Sequence, residues 1–134
     1  MWQIFVISTF LVLIIDQLVK FIVVKSSLPF YLNKWGPAGN YKKYPWLRTI
    51  EWVIHLTILV PLFISPNNFN LFLGAGLIIG GLSNSLDRYI YGGVVDFIPL
   101  PIKVPNHPYP SRFNLADFSI LIGIIVYITG VIKF

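Results

Sequence analysis

The sequence predicts an all-α membrane protein: a four-transmembrane-helix bundle with a small strand-like platform outside the bilayer, in the loop at 26–48. Three observations carry this. The 134-residue chain is 56% hydrophobic and 11% charged, where a soluble domain carries about 25% charged residues; its mean hydropathy is +0.76. Its apolar residues gather into four runs, three long enough to span a bilayer as helices and one marginal. None alternates as a barrel strand would, and backbone within lipid must be helical or closed into a barrel.

The first run covers about 2–24. It lacks a basic start, and Asp16 and Lys20 interrupt it before any small-residue cleavage site. It is therefore expected to be a retained helix rather than a cleaved signal peptide. The second, about 49–65, is short and contains Pro61; it completes the count of crossings. Residues 66–68, "PNN", make a tight turn into the third, about 69–91. There Gly76 and Gly80 are spaced for close helix packing, and His55 in the second run is expected to be a hydrogen-bonded bundle residue. The fourth run covers about 115–134, so residues 1–134 are expected to form one integral membrane domain.

The other two connections, 26–48 and 92–114, are long and rich in Pro and Gly. Long loops of this kind often carry function. With four alternating crossings both fall on one side of the membrane, and the tight turn and both termini on the other. Phe30, Tyr31, Trp35, Tyr41, Tyr44 and Trp46 suit a membrane interface, while Pro and Gly oppose a long helix there. A short strand-like or irregular platform beside the functional site is expected.

The net charge is +5 and the pI about 9.6. The basic residues sit mostly between apolar runs, which fits contact with membrane lipids. There is no basic helix or basic-aromatic stripe, so no nucleic-acid partner is expected. The absence of cysteine excludes disulfides, thiolate catalysis and Cys metal sites. His55 and His107 are widely separated and no H-E-x-x-H occurs, which makes a poor zinc ligand set.

The acidic residues are few and placed alike. Asp16 is in the last third of the first helix, Glu51 opens the second, Asp87 closes the third, Asp96 follows in the loop and Asp117 opens the fourth. All five therefore lie toward one membrane face. Ionisable groups in a membrane are costly and mark function by default. Asn84, Asp87, Arg88 and Tyr91 share one helical face at i, i+3, i+4 and i+7. Asp16 and Lys20, at i and i+4, can pair within their helix, and Asn114 can cap the helix that carries Asp117. Asp96 and Asp117 have no basic residue at helical spacing. Two carboxylates that meet share a proton, and one can act as base on water while the other acts as acid toward a carbonyl. A Ser83–Lys20 pair is the weaker alternative, because Lys20 is matched to Asp16.

"DQLVK" at 16–20, "GGLSNSLDR" at 80–88, "VVDF" at 94–97 and "FNLAD" at 113–117 resemble the motifs of signal peptidase II, the bacterial lipoprotein signal peptidase, in the same order and on the same segments. The resemblance implies a membrane aspartic endopeptidase that cleaves prolipoproteins before a diacylglyceryl-modified cysteine. It implies Asp96 and Asp117 as the catalytic pair, Asn84, Arg88 and Asn114 as holders of the substrate backbone, and Asp16, Lys20 and Asp87 as support. No metal or cofactor is implied, and a monomer is expected. The resemblance also implies the bacterial cytoplasmic (inner) membrane, with the active site toward the outer face. The loop lysines and arginines point the other way by the positive-inside rule; the motifs, being more specific, are followed. Two departures stand out: the first long loop reads "NKWGPAGN" at 33–40 where the family carries an Asn-x-Gly-x-Ala-Phe-like motif, and Ser83 stands where a glycine is usual. The reading from another class is a non-catalytic membrane binding protein or small transporter using the same carboxylates; cleavage of a lipidated prolipoprotein separates the two.

Overall fold

A computed structural model describes residues 1–34, 46–100 and 112–133. Helix α1 is Trp2–Lys25, α2 is Trp46–Ile64, α3 is Phe69–Gly80, α4 is Ser83–Ile90 and α5 is Leu115–Ile132. The short strands are β1 Tyr31–Asn33, β2 Val94–Asp96, β3 Ile98–Pro99 and β4 Arg112–Phe113. Among the described residues four helices, counting α3 and α4 as one span, are long and apolar enough to cross a membrane. The protein is a multi-pass membrane protein of mostly helical fold. Large apolar side chains cover the outside of the bundle, as Ile7, Phe10, Leu11, Ile14 and Leu18 do along α1.

Two element boundaries differ from expectation. Helix α2 begins at Trp46 rather than near residue 49. Pro45 precedes it in the sequence, and proline suits the start of a helix; an apolar count alone misses the turn that holds Trp46 and Arg48. The expected single third helix is broken at Gly81–Leu82. There the amides of Gly81 and Leu82 donate three residues back, to Ile78 at 3.0 Å and Ile79 at 2.9 Å. Two adjacent glycines favour this tighter turn, since each weakens an α-helix by about 1 kcal/mol relative to alanine.

Helix α3 is the most deeply buried of the crossings. Leu71, Phe72 and Ala75 are fully buried with Leu62 of α2, and Phe5, Ile58, Leu59 and Tyr127 pack on them. The side of α3 toward α1 is made by Gly76 and Gly80, as their spacing predicts. A Cβ on Gly76 would come within 2.9 Å of the Phe5 carbonyl oxygen, and one on Gly80 within 2.6 Å of Val12 Cβ. On the side toward α5 the nearest neighbour is backbone: a Cβ on Gly74 would lie 2.6 Å from the backbone nitrogen of Tyr127. Backbone cannot step aside as a side-chain tip can. Gly74→Ala is expected to cost about 1–3 kcal/mol of stability by overpacking, read as a lowered unfolding temperature in detergent.

Both small sheets are antiparallel. Strand β1 pairs with β2 in the register Tyr31↔Asp96, Leu32↔Val95 and Asn33↔Val94. Strand β3 pairs with β4, Ile98 opposite Phe113 and Pro99 opposite Arg112. The strand-like platform of the first long loop thus exists at 31–33, and its partner comes from the second long loop, where the sequence signalled no strand. Of the platform aromatics, Trp35, Tyr41 and Tyr44 lie outside the described residues, as do His107 and most of 33–40. Trp46 belongs to α2. The ring nitrogen Nδ1 of His55 lies 2.6 Å from the Glu51 carbonyl oxygen, within its own helix.

Candidate active site

Four chain segments bring the polar residues together. Helix α4 ends at Ile90, and the chain turns at Gly92, whose φ of 75° lies in the left-handed region. That conformation is open to glycine at little cost. The turn returns the chain as β2, with Asp96 at its end, 3% exposed. Helix α5 starts on the other side of the site with a capping box. The Asn114 side chain accepts from the Asp117 amide at 2.9 Å, and the Asp117 carboxylate accepts from the Asn114 amide at 3.1 Å. Asp117 is therefore fixed in the first turn of its helix, where the orphan amides and the dipole favour a carboxylate.

Two asparagine side chains tie the carboxylates to each other. Asn114 Nδ2 donates to Asp96 Oδ1 at 2.9 Å and to Asn84 Oδ1 at 2.8 Å. Asn84 Nδ2 donates to Asp117 Oδ1 at 2.9 Å. Asp96 Oδ2 accepts from Asn33 Nδ2 at 3.1 Å, across the β1–β2 sheet. Each oxygen of the two carboxylates thus has an amide donor. These donors favour ionisation, and burial opposes them. Burial, and secondly the charge of Asp117, push the Asp96 carboxyl up to about 7 against the amides of Asn33 and Asn114 and the charge of Lys20. A carboxylic acid is then half-protonated near neutral pH, poised to give or take a proton.

Beneath this pair lies a buried ionic network. Lys20 Nζ is 2.6 Å from Asp16 Oδ2 and 2.7 Å from Asp87 Oδ2, all three side chains being fully buried. Lys20 also donates to Asn84 Oδ1 at 2.9 Å, which links the network to Asp117 through one amide. Asp16 accepts from the Ser83 hydroxyl at 2.6 Å and from the Ala116 amide at 3.1 Å. Asp87 accepts from Gln17 Nε2 at 2.6 Å and from the Val95 amide at 3.1 Å. Asp16 thereby locates the start of α5 and Asp87 locates β2, the two segments that carry Asp117 and Asp96.

A cavity of about 330 Å³ opens over the pair, with Asn33, Asn84, Arg88, Asp96, Asp117 and Arg112 in its wall and Val94, Phe113 and Ile120 as apolar lining. Two carboxylates, two side-chain amides and two guanidinium groups around an apolar slot can bind an extended peptide and transfer protons at its carbonyl. A more open depression of about 500 Å³ at the other end of the bundle is lined by residues 65–70 and Lys133 and holds no carboxylate side chain.

All eight residues singled out in the sequence belong to this one polar assembly. The Ser83–Lys20 alternative has the wrong geometry, since the Ser83 hydroxyl is spent on Asp16 and accepts from Gln17 at 2.8 Å. Sequence reasoning missed Gln17 and Asn33 as site residues. Gln17 was visible in principle: a third polar side chain beside Asp16 and Lys20 in an otherwise apolar run faces away from lipid. Asn33 had a partial signal, as the head of the 33–40 stretch set against the family's Asn-x-Gly-x-Ala-Phe-like motif; its bond to Asp96 had none, because that depends on a pairing between two distant loops.

Comparison with known proteins gives one answer. Residues 8–133 match the family described as signal peptidase (SPase) II. The lipoprotein signal peptidase of Thermodesulfovibrio yellowstonii is 36% identical, over 91% of this chain and 90% of that protein. That of Staphylococcus aureus is 32% identical, over 91% of this chain and 83% of its own. Two structures of bacterial membrane enzymes obtained by the in meso method have the same fold. One superposes with a TM-score of 0.71 at 26% identity, covering 96% of this chain and 92% of that one. The other gives 0.64 at 25% identity, with 96% and 87% covered.

Proposed function

The chain belongs to the signal peptidase II family and is a peptidase that removes signal peptides from prolipoproteins, and we propose that it does so as an aspartic endopeptidase with Asp96 and Asp117 as the catalytic pair. The observation that carries this reading is the amide-bridged arrangement of the two carboxylates in the wall of one cavity. The relatives' names do not favour a non-catalytic binding protein or transporter.

In the proposed mechanism the scissile amide of a diacylglyceryl-modified prolipoprotein lies in the cavity. Asp96 enters protonated and Asp117 ionised. Asp117 takes a proton from water, whose oxygen bonds to the carbonyl carbon, while Asp96 gives its proton to the carbonyl oxygen. The tetrahedral diol collapses as Asp117 returns its proton to the amide nitrogen. The C–N bond breaks, and Asp96 recovers a proton from the diol hydroxyl. The pair ends as it began, with one proton between two carboxylates. Asn84 and Arg88, in the cavity wall, hold the substrate backbone. Asn114, expected to do the same, is fully buried and instead bridges Asp96 to Asn84 and caps the helix of Asp117. Asp16, Lys20 and Asp87 keep the segments in register. Incubating purified protein with a diacylglyceryl prolipoprotein and reading the shift of the product on a gel tests the activity. No cleavage of the lipidated form would refute it.

The proposed setting is a monomer in the bacterial cytoplasmic membrane, with the site toward the outer face and both termini inside. The chain has no cysteine, so Ser27→Cys creates a unique label. Ser27 is exposed and follows α1 at the end near the site. An impermeant maleimide is expected to label it in intact cells. Labelling only after the membrane is opened would reverse the orientation.

A further inference from the structure

We infer that Glu51 of α2, acting through Ser85, is a positioning residue that holds the Arg88 guanidinium in the wall of the substrate cavity. Ser85 Oγ donates to Glu51 Oε1 at 2.5 Å and accepts from Arg88 Nη1 at 3.2 Å, and Nη1 is 3.7 Å from Glu51 Oε1. The three groups form a closed triangle. Ser85 and Arg88 stand three residues apart on one face of α4, and Glu51 reaches them from a different crossing. Arg88 also lines the cavity that holds Asp96 and Asp117.

The surroundings of Glu51 make the placement informative. Its neighbours Ile50, Trp52, Val53 and Ile54 are more than 45% exposed, on a helix face that meets lipid. A carboxylate there is costly unless it serves a partner. Helix α2 already has an anchor elsewhere: Leu62 is fully buried in the core, and the Tyr127 hydroxyl donates to the Ile58 carbonyl at 2.9 Å. At its outer end Arg48 also lies over the Tyr89 ring at 5.2 Å. Fastening α2 therefore does not require Glu51. What the triangle adds is a restricted orientation for a long, flexible side chain whose fork can grip backbone carbonyls of an extended peptide. Ordering that fork before substrate arrives removes a cost from binding, not from the chemical step.

The inference rests on the reading of the cavity as the prolipoprotein site, and the test separates the two. Steady-state cleavage of a diacylglyceryl prolipoprotein is measured with the full-length protein in phospholipid nanodiscs. Glu51→Gln is expected to raise KM about tenfold, the scale of a lost hydrogen bond to a charged group, with kcat nearly unchanged. Ser85→Ala, which keeps both charges, is expected to raise KM less, by about threefold, and it carries the prediction if Glu51→Gln does not fold. Glu51→Asp should recover part of the loss. Tyr127→Phe, which cuts the other tie to α2, should leave KM alone. In an Arg88→Gln background, Glu51→Gln should change nothing further. Wild-type KM in Glu51→Gln or Ser85→Ala, a fall in kcat instead of a rise in KM, or an undiminished Glu51 effect without Arg88 overturns the inference while the peptidase reading stands. Absence of cleavage by the wild type overturns both.

Discussion

Asp96→Asn and Asp117→Asn are each expected to lower kcat by at least about 10²–10⁴-fold, the value of general acid–base catalysis, while substrate still binds. The substitution keeps volume and removes the exchangeable carboxyl proton. It also has a structural cost that the hydrogen bonds make explicit. Both oxygens of Asp96 accept from amide donors, Asn114 and Asn33, and both oxygens of Asp117 accept from Asn84 and the Asn114 backbone. An asparagine must turn its own NH2 toward one donor, which loses about 1 kcal/mol. That is too little to unfold the protein or to account for a loss of turnover on this scale. The pair also sets a pH dependence. Unfolded, Asp96 titrates near 3.8; folded, burial and the Asp117 charge bring it to about 7. Between these values the folded chain holds a proton that the unfolded chain has lost. Stability from this group is therefore full below 3.8 and is lost as pH rises through 7. The rate should fall over the upper limb as the shared proton leaves. Asp117→Asn removes the second cause of the upward shift, so Asp96 should titrate lower in that variant. The carboxyl band in infrared pH titration checks this.

Lys20→Met is expected to be the most damaging change to stability. The ammonium lies between Asp16 and Asp87 with no exposure on any of the three. Removing one partner of a buried ionic network leaves charge uncompensated, at about 3–5 kcal/mol, a large share of the roughly 5–15 kcal/mol that holds a domain folded. The damage should propagate along named bonds. Asp16 holds the Ala116 amide at the start of α5, Asp87 holds the Val95 amide in β2, and Lys20 itself holds Asn84. Each path ends at Asp96 or Asp117. Adding Asp16→Asn and Asp87→Asn to Lys20→Met removes the stranded charges and should recover most of the unfolding temperature. Recovery of stability without recovery of activity would fit a network that aims the pair as well as supporting it. No loss of stability in Lys20→Met would remove the network from the account.

The crossings were legible because bilayer thickness and backbone satisfaction leave few choices: an apolar run of this length is a helix wherever it sits in the bundle. The polar stripe of Asn84, Asp87 and Arg88 was legible for a related reason, since few polar groups occur in such a chain and lipid gives them nowhere else to face. Asn114 announced itself as a cap. The break at Gly81–Leu82 was less visible, because a glycine pair in a membrane segment signals close packing and a kink equally well. Of the β1–β2 ladder only the strand-like platform in the first long loop was legible; its exact strand and its partner were not. Residues 31–33 and 94–96 are three apiece, too short for a period-two pattern, and what pairs them is the placement of two loops by distant helices. The bond from Asn33 to Asp96 and the Glu51–Ser85–Arg88 triangle were hidden similarly, each joining two segments that the sequence does not relate.

The most direct test compares single-turnover cleavage of a diacylglyceryl prolipoprotein by wild type, Asp96→Asn, Asp117→Asn and the double variant. Each protein is purified, shown to be folded and saturated with substrate. If the two carboxylates share one proton and act as one unit, the double variant is scarcely slower than either single variant. Losses that multiply, or near-normal cleavage by either single variant, would contradict the account.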